Sequence, residues 1–189
     1  MRLDRRQRKL LKWLIDVHGE QMRKSGEPYW KHLERVAETV MRVGGNVSAA
    51  LCHDLFEDVE GMDSVKLSQK LNEFGYSGSD ISWIILHTTE LTDVFTSSSF
   101  PDLRRSIRKR MEAERYSSTT VGTQTIKLAD IKDNVSDITT VDPKFAKTYI
   151  SEKVIYLENL KMGTTKLYME TAYILFEAAK EIKLNIYEL

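Results

Sequence analysis

Four side chains suited to hold a metal are scattered along the sequence: His32, the adjacent pair His53-Asp54, and Asp130. Two imidazoles and two carboxylates make a mixed nitrogen and oxygen donor set. Such a set suits Mn²⁺, Fe²⁺, Co²⁺, Ni²⁺ or Zn²⁺, and affinity alone does not choose among them. A cation held this way acidifies a water near neutral pH and neutralises a phosphate oxygen. Those two effects are what phosphoester hydrolysis needs. A His-Asp dipeptide is common by chance, so its surroundings carry the argument. An apolar turn, Ala49-Ala50-Leu51-Cys52, precedes it, and a second acidic pair, Glu57-Asp58, follows. Glu57 stands one turn beyond His53, on the same face if the helix persists. There it can take a proton from a water or hold that water in line, with Asp58 orienting the water. Arg23-Lys24 sits just before Ser25-Gly26 and ahead of His32. A cation pair on a loop can grip phosphates, and a guanidinium can stack on a base.

The elements that must position these residues read as helices. Residues 4–17 carry Leu10, Leu11, Leu14, Ile15 and Val17 as an apolar stripe. Lys24 to Pro28 breaks it, and residues 29–43 form the next helix, stopped by Gly44-Gly45. Asn46 or Ser48 caps a helix that carries Ala49 to Phe56. Asp63 or Ser64 starts another, which Gly75 ends. Residues 79–92 are an apolar helix, and Thr96 to Pro101 is the clearest loop. Residues 102–115 form a charged helix whose Arg104, Arg105, Arg108, Lys109 and Arg110 read as a solvated face. Residues 121–138 carry Asp130, with Asn134 one turn later. Asp142-Pro143 is an N-cap followed by an N1 proline and opens a helix to about Lys161. Gly163 breaks it, and a last helix runs from about Thr165 to Ile182. No alternating strand pattern appears. The expectation is one all-α domain over residues 1–189.

Composition narrows the function classes. An apolar fraction of 41% and a charged fraction of 30% are ordinary for a globular domain of 189 residues. Lys plus Arg equals Asp plus Glu at 28 each, which argues against a dedicated nucleic-acid binder. No apolar run approaches the ~20 residues of a membrane helix, and no secretory signal is visible. The single Cys52 excludes an intramolecular disulfide and reads as core packing. The expected location is the cytoplasm. His18 reads as a packing or pocket-wall residue and His87 as core or helix end. The composition leaves the oligomeric state open.

Three segments together resemble the hydrolase domain of the RelA/SpoT homologue family, within the HD superfamily of metal-dependent phosphohydrolases. They are His18-Gly-Glu-Gln-Met-Arg23-Lys24-Ser-Gly26-Glu-Pro28-Tyr29-Trp-Lys-His32, then Ala49-Ala-Leu-Cys-His53-Asp54-Leu-Phe-Glu57-Asp58, then Ile126-Lys-Leu-Ala-Asp130-Ile-Lys-Asp-Asn134. The resemblance implies an all-helical HD-type bundle with one divalent transition metal, most often manganese. It implies release of pyrophosphate from the 3′ position of guanosine tetraphosphate (ppGpp), leaving GDP. By motif, His32, His53, Asp54 and Asp130 would be metal ligands, and Glu57 and Asp58 the catalytic acids. Arg23, Lys24 and Ser25 would contact the nucleotide, and Asn134 its ribose or 5′-phosphate side.

The sequence departs from the family at Val59, at Glu20 with Gly19 displaced by one, and at Ile131-Lys132-Asp133. The ligand and acid positions are intact. Asp133 and Asp137 add negative charge near the presumed nucleotide side, which keeps a second expectation in view: an HD hydrolase of another nucleotide, such as a dNTP, a nucleoside monophosphate or a phosphorylated dinucleotide. A third is a catalytically inactive nucleotide-binding module, which would have no chemical need for Glu57-Asp58.

Overall fold

A computed structural model describes residues 1–185. The described residues form α1 (Arg5–His18), α2 (Trp30–Arg42), α3 (Val47–Leu51), α4 (Leu55–Asp58), α5 (Ser64–Phe74), α6 (Gly78–Leu91), α7 (Arg105–Tyr116), α8 (Val121–Val141), α9 (Pro143–Asn159) and α10 (Thr165–Glu181). No strand occurs among them; an isolated bridge pairs Met22 with Pro28. Two compact units result, Met1–Thr92 and a second that begins at Asp93. No helix among the described residues is long and apolar enough to cross a membrane.

The first unit is organised around α3. All five of its residues are buried, and it packs against α1, α2 and α6. Asn46 caps it through the Ala49 amide at 3.0 Å. Around it, α1 buries Leu10 and Leu14, and α2 buries Leu33, Val36, Ala37 and Val40, each at helical spacing. A reciprocal capping box between Asp4 and Gln7 starts α1. Asp63 caps α5, and Gly75 ends it at φ 88°, a left-handed conformation that a side chain would strain. Cys52 is fully buried, and burial pushes its thiol far above the ordinary range, so it packs as an apolar group. His87 is buried and stacked on Trp83.

The second unit is built on α8, which is buried without interruption from Thr123 to Ile131. Such all-round burial comes from contact with both α9 and α10. Gly163 brings the chain hard against α8: an added Cβ would meet Leu128 Cδ1 at 2.6 Å. Gln124, fully buried, accepts from the Met162 amide and donates to the Tyr116 carbonyl, both at 2.9 Å. Asp142 caps α9 through the Phe145 amide, with Pro143 at its first turn.

Two expectations are corrected. The helix expected to carry Ala49 through Phe56 is broken: α3 ends at Leu51, and α4 resumes at Leu55. The cause is local. His53 Nδ1 donates to the Ala50 carbonyl at 2.9 Å, the acceptor that the Asp54 amide would use in a continuous helix. Glu57 therefore does not share one unbroken helix with His53. The charged helix also starts three residues late, at Arg105, and its basic residues are not simply solvated. Arg105 forms a forked pair with Glu152 at 2.7 and 2.9 Å, Lys109 pairs with Asp93, and Arg108 donates to the Leu103 carbonyl. In the first unit Arg6 pairs with Asp80.

Glu112 is fully buried, accepts from the Val94 and Phe95 amides at 2.9 Å, and pairs with Arg115. Glu112→Ala leaves both amides and the guanidinium without their acceptor. It should cost about 3–5 kcal/mol of stability, as breaking a buried pair does. Urea unfolding monitored by circular dichroism checks this; a loss below 1 kcal/mol would remove Glu112 as an anchor of the segment before α7.

Candidate metal centre

Two imidazoles and a carboxylate meet in the first unit. His32 comes from α2; His53 and Asp54 come from the turn between α3 and α4. The His32 and His53 Nε2 atoms are 3.1 Å apart. Asp54 Oδ2 lies 2.8 Å from His53 Nε2 and 3.6 Å from His32 Nε2. Both rings are buried, at 1% and 2% exposure.

Hydrogen bonding settles which His53 nitrogen is free for a ligand. The Ala50 carbonyl can only accept, so Nδ1 carries the proton and Nε2 presents a lone pair to His32 and Asp54. A divalent ion ~2.1 Å from each donor would hold neighbouring donors ~3.0 Å apart at a right angle and ~3.4 Å apart at a tetrahedral angle. The observed 2.8, 3.1 and 3.6 Å separations bracket those values. The donor set therefore fits a divalent transition metal. Among the described residues, this trio is the group whose ligand atoms converge in this way.

One side chain holds the trio from behind, and a second ties together the residues beside it. The Tyr29 hydroxyl donates to Asp54 Oδ2 at 2.5 Å, and its ring stacks on His18 and meets His32 edge-on. Burial, then the Asp54 and Asp58 charges, push the Tyr29 phenol far above its ordinary range, so it stays a neutral donor. Gln21 Nε2 donates to Asp58 Oδ2 at 3.0 Å, which turns its Oε1 toward His18 Nδ1 at 2.8 Å. His18 Nδ1 therefore carries the proton. Sequence reasoning gave neither Tyr29 nor Gln21 a role, although both stand inside the quoted motif. Their presence between His18 and His32 was the available signal. His18 is buried, stacked on Tyr29.

The remaining site residues lie as follows. Glu57 and Asp58 are exposed at α4, where an acid can meet solvent-borne substrate. Arg23, Lys24 and Ser25 form a turn closed by the Gly26 amide on the Arg23 carbonyl at 2.9 Å. The Arg23 amide also bonds the Glu27 carbonyl at 2.8 Å, and Gly26 adopts φ 82°. Asp130 lies on α8 in the second unit, buried, accepting from Lys127 Nζ at 2.9 Å and from Asn134 Nδ2 at 2.5 Å. Asp133 and Asp137 are half-buried on the same helix.

No family model and no curated protein matches this sequence. A solved structure does: a metazoan ortholog of SpoT that hydrolyzes ppGpp and plays a role in starvation responses. It is 22% identical, with a TM-score of 0.74, over 94% of this chain and 97% of that one. The two chains share one fold. That fold is all-helical, as the sequence implied.

His53→Ala deletes the nitrogen that faces both other donors. It should leave the purified protein without stoichiometric metal by elemental analysis, while the helical circular-dichroism spectrum largely persists. A variant that retains one ion per chain would remove His53 from the centre.

Proposed function

We propose that the protein is a metal-dependent nucleotide phosphohydrolase that removes the 3′-pyrophosphate of guanosine tetraphosphate, leaving GDP. The observation that carries this reading is the convergence of His32 Nε2, His53 Nε2 and Asp54 Oδ2 at 2.8–3.6 Å. The shared fold with a ppGpp hydrolase supports it. His32, His53 and Asp54 would hold the ion, most simply manganese, and the motif resemblance assigns Asp130 as the fourth ligand. A divalent ion bound there supplies the charge that acidifies a water and offsets a phosphate oxygen.

The chain's own residues do the rest. Glu57 accepts the proton of the attacking water as general base. Asp58, steadied by Gln21, orients that water, and the protonated Glu57 passes its proton to the leaving oxygen. Arg23 and Lys24 neutralise phosphate charge, and Ser25 donates a hydrogen bond from the same turn. Asn134 contacts the ribose or 5′-phosphate side. Tyr29 holds Asp54 aimed at the imidazoles.

A second nucleotide is the competing substrate, favoured by Asp133 and Asp137, whose charges oppose a 5′-diphosphate. Purified protein with Mn²⁺ and a nucleotide panel, resolved by anion exchange, separates the two. The expected products from guanosine tetraphosphate are GDP and pyrophosphate. Mn²⁺-dependent cleavage of a different nucleotide, with guanosine tetraphosphate untouched, would decide for the other substrate.

Glu57→Gln keeps the side-chain shape and removes the base. Metal content and substrate affinity should survive while turnover falls ~10²–10⁴-fold. A rate within a few-fold of wild type takes Glu57 out of the chemistry.

A further inference from the structure

In the second unit, cations and carboxylates from α7, α8, α9 and the segment before α7 come together in matched pairs. Arg105 takes Glu152, Lys109 takes Asp93, Arg115 takes Glu112, and Lys127 takes Asp130. Lys153 on α9 is the fifth cation beside these four carboxylates. It is 7% exposed and has no hydrogen bond or ion pair to any described residue. Its ammonium instead lies over two tyrosine faces, 4.3 Å from the Tyr156 ring centre and 5.0 Å from that of Tyr149. Tyr156 adds a second orphan: its buried hydroxyl has no hydrogen-bond partner among the described residues.

Both orphans are donors, and they sit one turn apart on one helix. Burial, then the neighbouring Lys127 charge, lower Lys153 to about 8, so it remains mostly protonated at neutral pH. Burial pushes the Tyr156 phenol well above its ordinary range, so it remains a neutral O–H donor. An almost fully buried ammonium with no direct ion-pair partner is costly even with the Asp130 and Asp93 charges acting on it, and an anion in contact with it relieves that cost. A single-oxygen acceptor would serve one donor. A phosphoryl group offers several oxygens and enough charge for an ammonium, with Lys109 and Lys127 adding positive field nearby.

We propose that Lys153 and the Tyr156 hydroxyl form a phosphate subsite in the second unit, one that takes a phosphoryl or pyrophosphoryl group of the nucleotide. The naming of a nucleotide rests on the proposed function; the anion site itself does not.

The probe is inorganic pyrophosphate, titrated calorimetrically into the full chain as purified, so that no turnover is needed. Lys153→Met keeps an unbranched apolar stem over the tyrosines and removes the charge. Its dissociation constant should rise about 10–100-fold, the span of one hydrogen bond to a charged group. An unchanged constant, or a wild-type protein that binds no pyrophosphate, overturns the subsite. Should the variant lose its helical spectrum, the wild type decides by itself. With ¹³Cε-labelled lysine, saturating pyrophosphate should raise the titration midpoint of the lysine near pH 8, and an unmoved midpoint overturns the proposal. A protein that binds pyrophosphate through Lys153 yet cleaves no guanosine tetraphosphate would remove the proposed activity and leave the subsite standing.

Discussion

Two buried imidazole nitrogens stand 3.1 Å apart, a separation that holds only with a proton or a cation between them. The first unit is arranged to enforce that approach. His53 is turned inward by its Nδ1 bond to the Ala50 carbonyl, and that same bond breaks the helix. The break frees Asp54 to swing its carboxylate to the two nitrogens, where Tyr29 holds it. One side-chain hydrogen bond thus sets a ligand's tautomer, ends α3 and re-aims the next residue. The surrounding helices serve mainly to bury this knot, and an apolar α3 sealed by α1, α2 and α6 does so.

The convergence of His32, His53 and Asp54 was legible from residue types because such donors are few and their neighbours distinctive. Helix limits were readable where a cap or a glycine announces them: Asn46, Asp63 and Asp142 all cap as their side chains predict. The interrupted helix at Cys52–Asp54 was not, because periodicity registers apolar spacing and cannot register a side chain that takes a backbone acceptor from its own helix. Gln21 escaped for a related reason. Its worth lies in joining His18 to Asp58, 37 residues beyond it, and no local pattern encodes such a bridge.

The basic helix α7 shows the same limit from the electrostatic side. Its spacing looked like a solvated face, yet Arg105 meets Glu152 across 47 residues of sequence. Spacing rules speak for neighbours three and four residues apart and are silent about partners brought by another helix. Charge balance over the whole chain, 28 against 28, likewise conceals a local imbalance on α9. Local surplus, rather than net charge, is what a polyanionic substrate would meet.

The shortness of α3 carries a further consequence. A helix of five residues has no stability of its own in water and exists here through its neighbours. His53 and Asp54 therefore hold their bonded orientations only while the first unit is closed. An ion bound there acts as a folded-state ligand, adding about 2.7 kcal/mol at a hundredfold excess over its dissociation constant. If the centre holds an ion, metal supply bears on lifetime: chains deprived of it open more often, and proteases remove what opens. The abundance of the protein in a cell would then follow its access to metal.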